Sequence, residues 1–186
     1  MTTLSGTVLP AQEGNTRYGF ANFAPLFLAT KGLTLSQVCE IAGLEPTTVQ
    51  NWIKRGWVAH PDNKRYHEPH LARILIINML RRAMPLERIA YILRYVNGSA
   101  DDRADDISPD SELYTRLCIV MDSAAQRGAA AEAEIRAFVH EVLTGFTEPF
   151  PGAKEKLFHA LVIMSLACIS SAIIARAETL FDETLI

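Results

Sequence analysis

The segment from Leu35 to Arg55, LSQVCEIAGLEPTTVQNWIKR, constrains the fold more than any other part of this 186-residue chain. Its apolar residues recur at helical spacing on both sides of Gly43, and glycine tolerates the positive φ of a tight turn. Thr34 and Gln37 have the spacing of a capping box, and Pro46 suits the first turn of a second helix. The pattern therefore predicts two short helices joined at Gly43, a helix-turn-helix.

The second of these helices, residues 46–55, divides into a buried and an outward side. Val49 and Trp52 fall on the side that packs against the first helix. The outward side carries amides that can bond adenine, threonines that can contact a thymine methyl and cations that can reach phosphates or guanine. We therefore expect this recognition helix to enter a DNA major groove and to contact DNA through Thr47, Thr48, Gln50, Asn51, Lys54 and Arg55.

Residues 57–66, WVAHPDNKRY, are predicted to form a small hairpin, or wing. Trp57 and Val58 suit a short strand, and Pro-Asp-Asn is typical of a turn. Lys64, Arg65 and Tyr66 would lie on the returning arm, where the two cations suit contact with the DNA backbone or the minor groove. A solvated surface charge is the alternative interpretation for each cation.

Charge is unevenly distributed along the chain, whose formal net charge is −3. Residues 31–94 contain ten Lys and Arg against five Asp and Glu, whereas residues 95–186 contain seven against fifteen. A basic segment followed by an acidic one suggests a DNA-facing half and a half held away from the phosphates. Arg73, Arg81 and Arg82 are expected to point outward from a helix over residues 68–84.

The run from Leu35 to Val96 resembles the winged helix-turn-helix of MerR-type regulators, with a recognition helix, a wing closing on Arg65-Tyr66 and a helix pair around Pro85-Leu86-Glu87. More closely, the stretches TTVQNWIKRGW, NKRY, ARILIINMLR, LERIAYILRYVNG and DDRADDIS together resemble bacterial proteins of the domain of unknown function 1836 family. That resemblance implies a MerR-like DNA-binding fold in a bacterial protein. It implies little about function, because the family is uncharacterised.

The end of the chain carries an apolar run, Leu157 to Ala175, in which His159 is the only ionisable side chain. This length could span a bilayer, but its content of Ser, Ala and Cys and its lack of aromatic and basic flanks favour a helix buried between neighbours. We expect one side to pack in a helical bundle and the other side against a second subunit. The sequence therefore predicts a homodimer formed through the C-terminal helices and no membrane insertion.

The three cysteines, Cys39, Cys118 and Cys168, are scattered in apolar helical contexts and are expected to be reduced core thiols of a cytoplasmic protein. His67 and His70 lie near His60, but no Cys or carboxylate pattern completes a metal site. No nucleophile, base and orienting group occur in a catalytic arrangement. We therefore expect no metal, no cofactor and no enzymatic activity.

The predicted fold class is mostly α, with a MerR-like winged helix-turn-helix followed by a C-terminal helical bundle. An N-terminal arm and short helix (1–32) would cover the DNA-binding domain (33–97), and an acidic linker (98–107) would lead to a helical dimerisation or effector region (108–186). The predicted function is a transcriptional regulator that binds double-stranded DNA as a homodimer. The alternative is a helical protein–protein interaction adaptor without DNA binding, and an unknown small-molecule effector is left open.

Overall fold

The computed structural model of the protein describes residues 3–10, 19–102 and 104–185. Within these ranges the secondary structure is helical, with isolated β-bridges and no strand, which confirms a mostly α fold. A 3₁₀ turn, Phe20–Phe23, precedes the first α-helix. The α-helices are α1 (Ala24–Ala29), α2 (Leu35–Ala42), α3 (Pro46–Lys54), α4 (Glu68–Leu80), α5 (Leu86–Asn97), α6 (Asp110–Arg127), α7 (Glu132–Val142) and α8 (Ala153–Leu185).

The sequence predicted two short helices joined at Gly43, and α2 and α3 are these two helices. Thr34 caps α2, because its side chain accepts the Gln37 N–H while the Gln37 side chain accepts the Thr34 N–H. Gly43 ends α2 in the left-handed conformation, with φ of 64°. Pro46 occupies the first turn of α3, where its missing N–H costs no helical hydrogen bond. Local capping chemistry therefore sets both ends of the turn.

The predicted β-hairpin over residues 57–66 was wrong, because a wing requires strands and the described residues contain none. Val58 is fully buried and Trp57 is nearly so, which places both side chains in the core. Tyr66 instead exchanges two backbone hydrogen bonds of 2.8 Å with Leu33. What remains of the wing is a tight turn, Asp62–Arg65, closed by a 2.8 Å hydrogen bond between its first and last residues.

Helix α4 lies at the centre of the molecule. Its apolar residues, including Leu71, Leu75 and Ile76, point in all directions, and a helix of this kind must be covered on every side. It contacts α2 and α5 from the N-terminal half and α6 and α8 from the C-terminal half. The basic and acidic halves of the sequence therefore share one hydrophobic core.

The prediction that Arg73 points outward from α4 was wrong. Its side chain is buried and forms a 3.1 Å ion pair with Asp110 at the start of α6. Its Nε also donates to the carbonyl of Trp57 over 2.8 Å. Asn97, at the end of α5, donates to the same Asp110 carboxylate over 3.1 Å. This network joins three helices, whereas Arg81 and Arg82 are exposed as expected.

The covering segment before α2 lies against the C-terminal half. The rings of Phe20 and Phe23 meet the ring of Tyr114 on α6, with centroids 6.1 and 6.2 Å apart. The Phe20 N–H donates to the Thr115 hydroxyl over 2.9 Å. The aromatic part of this segment therefore lies against the start of the bundle, while the arm before it contacts α2, because the Val8 N–H donates to the Ile41 carbonyl over 3.0 Å.

Helix α8 is the longest helix and has a buried part followed by an exposed part. Its buried side chains end at Ile169. Beyond that residue Ile173 and Ile174 are each 56% exposed, and Phe181 is 54% exposed. By length and composition α8 could cross a membrane, and 39% of its most apolar window is buried inside the protein.

Candidate nucleic-acid interface

Helix α3 presents the predicted recognition residues on one exposed face. Val49, Trp52 and Ile53 are buried and fix the orientation of the helix. The opposite face exposes four polar side chains at positions i, i+3, i+4 and i+7, with Thr48 half-buried beside them. Among the described residues, none of the four side chains has a hydrogen bond or an ion pair. These free donors and acceptors belong to Thr47, Gln50, Asn51 and Lys54.

Arg55 lies at the C-terminal end of α3 and is exposed. Its guanidinium sits 5.0 Å from the centroid of the Trp57 ring and 3.4 Å from the Glu87 carboxylate. Both partners of this ion pair are more than half exposed, so the pair contributes no more than about 1 kcal/mol. Arg55 can therefore exchange Glu87 for a phosphate at little cost.

The Asp62–Arg65 turn places Lys64 at its exposed tip. Asn63 and Lys64 have φ values of 49° and 62°, the left-handed pair that a type I′ turn requires. Asparagine tolerates this region, but lysine pays roughly 1 kcal/mol for it because its Cβ approaches the following carbonyl. Arg65 is exposed as well, and its guanidinium donates to the Gly32 carbonyl over 3.5 Å.

His70 anchors the segment that leads into this turn. Its Nδ1 accepts the N–H of His67 over 3.0 Å, and its Nε2 lies 3.1 Å from the carbonyl of His60. With Nδ1 as the acceptor, Nε2 is the ring nitrogen that can donate to the His60 carbonyl. Among the described residues no group of three or more His, Cys, Asp or Glu side chains could hold a metal ion. The ring of His70 therefore joins the backbone before the turn, at His60, to the backbone after it, at His67.

Tyr66 does not belong to the interface. Its side chain is 4% exposed and its ring meets the ring of His70 edge-on, with centroids 5.9 Å apart. Burial raises the pKa of the Tyr66 hydroxyl. A residue in this position supports the turn from the core and cannot reach DNA. The candidate interface therefore keeps Thr47, Thr48, Gln50, Asn51, Lys54, Arg55, Lys64 and Arg65.

The positive charge of the N-terminal half is mostly unneutralised. Of the ten Lys and Arg in residues 31–94, eight have no carboxylate within 4.0 Å among the described residues, the exceptions being Arg55 and Arg73. In residues 104–185 four of the six Lys and Arg are paired with a carboxylate. The N-terminal half is therefore more basic than the C-terminal half, and fewer of its cations are paired with a carboxylate.

All three cysteines are free and buried, as expected. Burial, with Glu45 and Glu40 nearby, raises the pKa of Cys39. Burial also raises the pKa of Cys118 to about 11 and that of Cys168 to about 12. The thiols are therefore neutral at pH 7, and neutral thiols are poor nucleophiles and poor metal ligands.

Sequence reasoning missed the tyrosines on the outer face of α5. Tyr91 is 68% exposed and Tyr95 is 40% exposed, although both lie in a helix whose Ile89 and Leu93 are fully buried. The sequence held a signal, because both tyrosines fall on the polar side of an amphipathic helix. Exposed tyrosines of this kind are common at binding surfaces.

Two comparisons with known proteins match about half of the chain each. An uncharacterized protein of Bacillus subtilis (strain 168), YkrK, is 30% identical over 93 residues, which cover 48% of this chain and 40% of that protein. No solved structure matches the chain. A family model described as a domain of unknown function, DUF1836, matches residues 28–117. The family resemblance seen in the sequence is thus supported for α2 to α5, and residues 28–117, which hold every residue of the candidate interface, are the DUF1836 match of this chain.

Proposed function

We propose that this protein is a transcriptional regulator of the bacterial cytoplasm that binds double-stranded DNA through α3. The observation that carries the proposal is the exposed face of α3. It presents Thr47, Gln50, Asn51 and Lys54 together, free of other partners, on a helix held in place by Val49 and Trp52. Two amides on such a face can each bond an adenine edge, and a cation beside them can reach phosphate or guanine.

Exposed cations in the same half of the chain support the same proposal. Lys64 and Arg65 project from a turn of fixed conformation, and Arg81, Arg82 and Arg88 are exposed without carboxylate partners among the described residues. Such cations attract the phosphate backbone and steer association. We regard the arrangement as MerR-like, with the Asp62–Arg65 turn in the place of a β wing.

The proposal is tested with Asn51→Ala combined with Lys54→Ala in a salt-dependent binding assay on genomic fragments. We expect the wild type to bind at low salt and the variant to lose both affinity and sequence preference, because one amide and one cation leave the groove. The matched control, Gln126→Ala with Arg136→Ala, removes an amide and a cation from the bundle surface and should bind like the wild type. Absence of wild-type DNA binding at low salt refutes the regulator and favours an adaptor.

We also propose that the regulator is a homodimer joined through the exposed end of α8. Beyond Ile169 the apolar side chains of this helix follow a spacing of three and four residues, through Ile173, Ala177 and Leu180, which is the seam of a helix pair. A groove of about 550 Å³ runs beside this seam and is lined by α6, by the loop after it and by α8, with Arg176 as its one charged side chain among otherwise apolar residues. A second copy would cover both, and a dimer would present two recognition helices to two half-sites.

The proposed homodimer is tested by the oligomeric state of the protein in solution. Ultracentrifugation of the wild type at micromolar concentration should give the mass of a dimer. Ile173→Glu with Leu180→Glu places charge in the seam and should give a folded monomer, since neither side chain belongs to the buried core. A matched exposed pair outside the seam, Arg81→Glu with Arg82→Glu, should stay dimeric. A monomeric wild type contradicts the dimer.

A further inference from the structure

A patch of aromatic rings and cations lies outside the interface described above. It is formed by Tyr91 and Tyr95 on α5, by Phe150 before α8, and by Lys154 and Lys156 in the first turn of α8. The ammonium of Lys156 lies 5.4 Å from the ring centroid of Tyr95 and 5.8 Å from that of Phe150. Phe150 is 38% exposed, so the patch faces solvent. We call these five residues the α5–α8 patch.

The charge of this patch is unusual for the half of the protein that holds it. Within residues 104–185 the four arginines are each paired with a carboxylate. Lys154 and Lys156 have no such partner among the described residues. Lys156 contacts aromatic rings instead, which hold an ammonium in place without neutralising its charge. This corner therefore holds two ammonium groups without an ion pair among the described residues, beside Glu155 and beside Glu148, whose carboxylate accepts the backbone N–H of Lys154 over 3.1 Å.

This corner is continuous with the candidate interface. Glu87 opens α5 and contacts Arg55 at the end of α3. Residues four apart on a helix share a face, so Tyr91 and Tyr95 follow Glu87 along one stripe that ends at Lys156. At a rise of about 1.5 Å per residue the stripe from residue 87 to residue 95 is about 12 Å long. Because a base pair rises about 3.4 Å, that length equals three to four base pairs of duplex.

We propose that the α5–α8 patch is a second DNA contact, which binds the phosphate backbone beside the groove that α3 enters. This inference rests on the proposed function and adds a site to it. The ammonium groups of Lys154 and Lys156 neutralise phosphates, and the exposed tyrosines offer hydroxyl donors to phosphate oxygens. Contacts of this kind add affinity without reading sequence.

The test is the salt dependence of DNA binding by Lys156→Gln. Loss of one phosphate contact should make the slope of log affinity against log salt shallower by about 0.9. The ratio of wild-type to variant affinity should therefore be about eightfold larger at 0.1 M salt than at 1 M. The loss should be the same for all fragments. The matched control is Arg136→Gln, because Arg136 is also a bundle cation over an aromatic ring, 5.7 Å from the Phe158 centroid. It should keep the wild-type slope.

Tyr91→Phe provides an independent variant, because it removes only the exposed hydroxyl. We expect weaker binding on every fragment and an unchanged fold. A wild-type slope for Lys156→Gln, together with wild-type affinity for Tyr91→Phe, overturns the second contact. That result leaves the proposed function standing if Asn51→Ala with Lys54→Ala still abolishes binding. It is also the result expected if the patch receives a protein partner. A wild type that binds no DNA refutes both proposals.

Discussion

Replacing Asp110 by alanine would leave the guanidinium of Arg73 in the core without a charged partner. The two side chains are 9% and 6% exposed, so water cannot take the place of the carboxylate. The carboxylate accepts from Arg73 and from Asn97, each over 3.1 Å. It also lies at the N-terminus of α6, where the helix dipole favours a negative charge. One substitution therefore removes a charge from three favourable interactions.

Removal of one partner from a buried ion pair costs about 3–5 kcal/mol, because the other charge stays buried. We expect Asp110→Ala to lower the free energy of unfolding by that amount, a large fraction of the roughly 5–15 kcal/mol of a typical domain. Asp110→Asn keeps an oxygen toward Arg73 and should cost less. Arg73→Met combined with Asp110→Ala removes both charges and should cost clearly less than the sum of the two single effects.

Urea unfolding followed by far-ultraviolet circular dichroism measures these free energies. The control is Glu132→Ala, which breaks the exposed pair between Glu132 and Arg136, and it should cost less than about 1 kcal/mol. A loss below about 1 kcal/mol for Asp110→Ala, or single effects that simply add in the double variant, would show that the pair does not join α4 to α6 as argued.

Three further predictions concern the turn, the thiols and the linker. Lys64→Gly should raise the free energy of unfolding by about 1 kcal/mol, because glycine accepts the left-handed conformation. The same variant should bind DNA more weakly. A variant that is less stable than the wild type contradicts the claim that Lys64 is strained. Burial raises the pKa of Cys118 to about 11. Between about pH 9 and 11 the thiol is therefore ionised in the unfolded chain but still protonated in the folded protein. The free energy of unfolding should fall with rising pH in this range, by up to about 1.4 kcal/mol per pH unit. Cys118→Ala should flatten that dependence in alkaline urea titrations, and an identical slope contradicts the assignment. The acidic linker carries Asp101, Asp102, Asp105 and Asp106, whose negative charges should repel phosphates. Replacement of all four by Asn should raise nonspecific affinity for random-sequence duplexes, and an unchanged affinity counts against that repulsion.

The parts of the fold that the sequence predicted depend on local chemistry. A capping residue, a left-handed glycine and a first-turn proline act within a few residues of themselves, so Thr34, Gly43 and Pro46 define α2 and α3 without the rest of the chain. The outward face of α3 follows from the same local period, because Val49 and Trp52 must be covered. The exposure of Thr47, Gln50, Asn51 and Lys54 was predictable for this reason.

The parts that were missed depend on partners far away in the chain. Arg73 and Asp110 lie 37 residues apart, and helical periodicity alone cannot place a cation in a core that both halves build. Tyr66 pairs with Leu33 instead of the segment next to it, so a hairpin was the wrong local solution. Tyr95 and Lys156 meet only because α5 packs on α8.

The backbone conformation of Lys64 depends on both local and long-range contacts. The left-handed φ of 62° is set by the closed Asp62–Arg65 turn, and that turn is positioned by the pairing of Tyr66 with Leu33. Lysine is a costly choice for such a position, because glycine would relieve the strain. A residue held at that cost on an exposed tip points to a role other than folding, and an exposed positive charge that can meet a phosphate supplies one. Stability and DNA affinity should therefore change in opposite directions when Lys64 is replaced by glycine, which no purely structural role of the turn would produce.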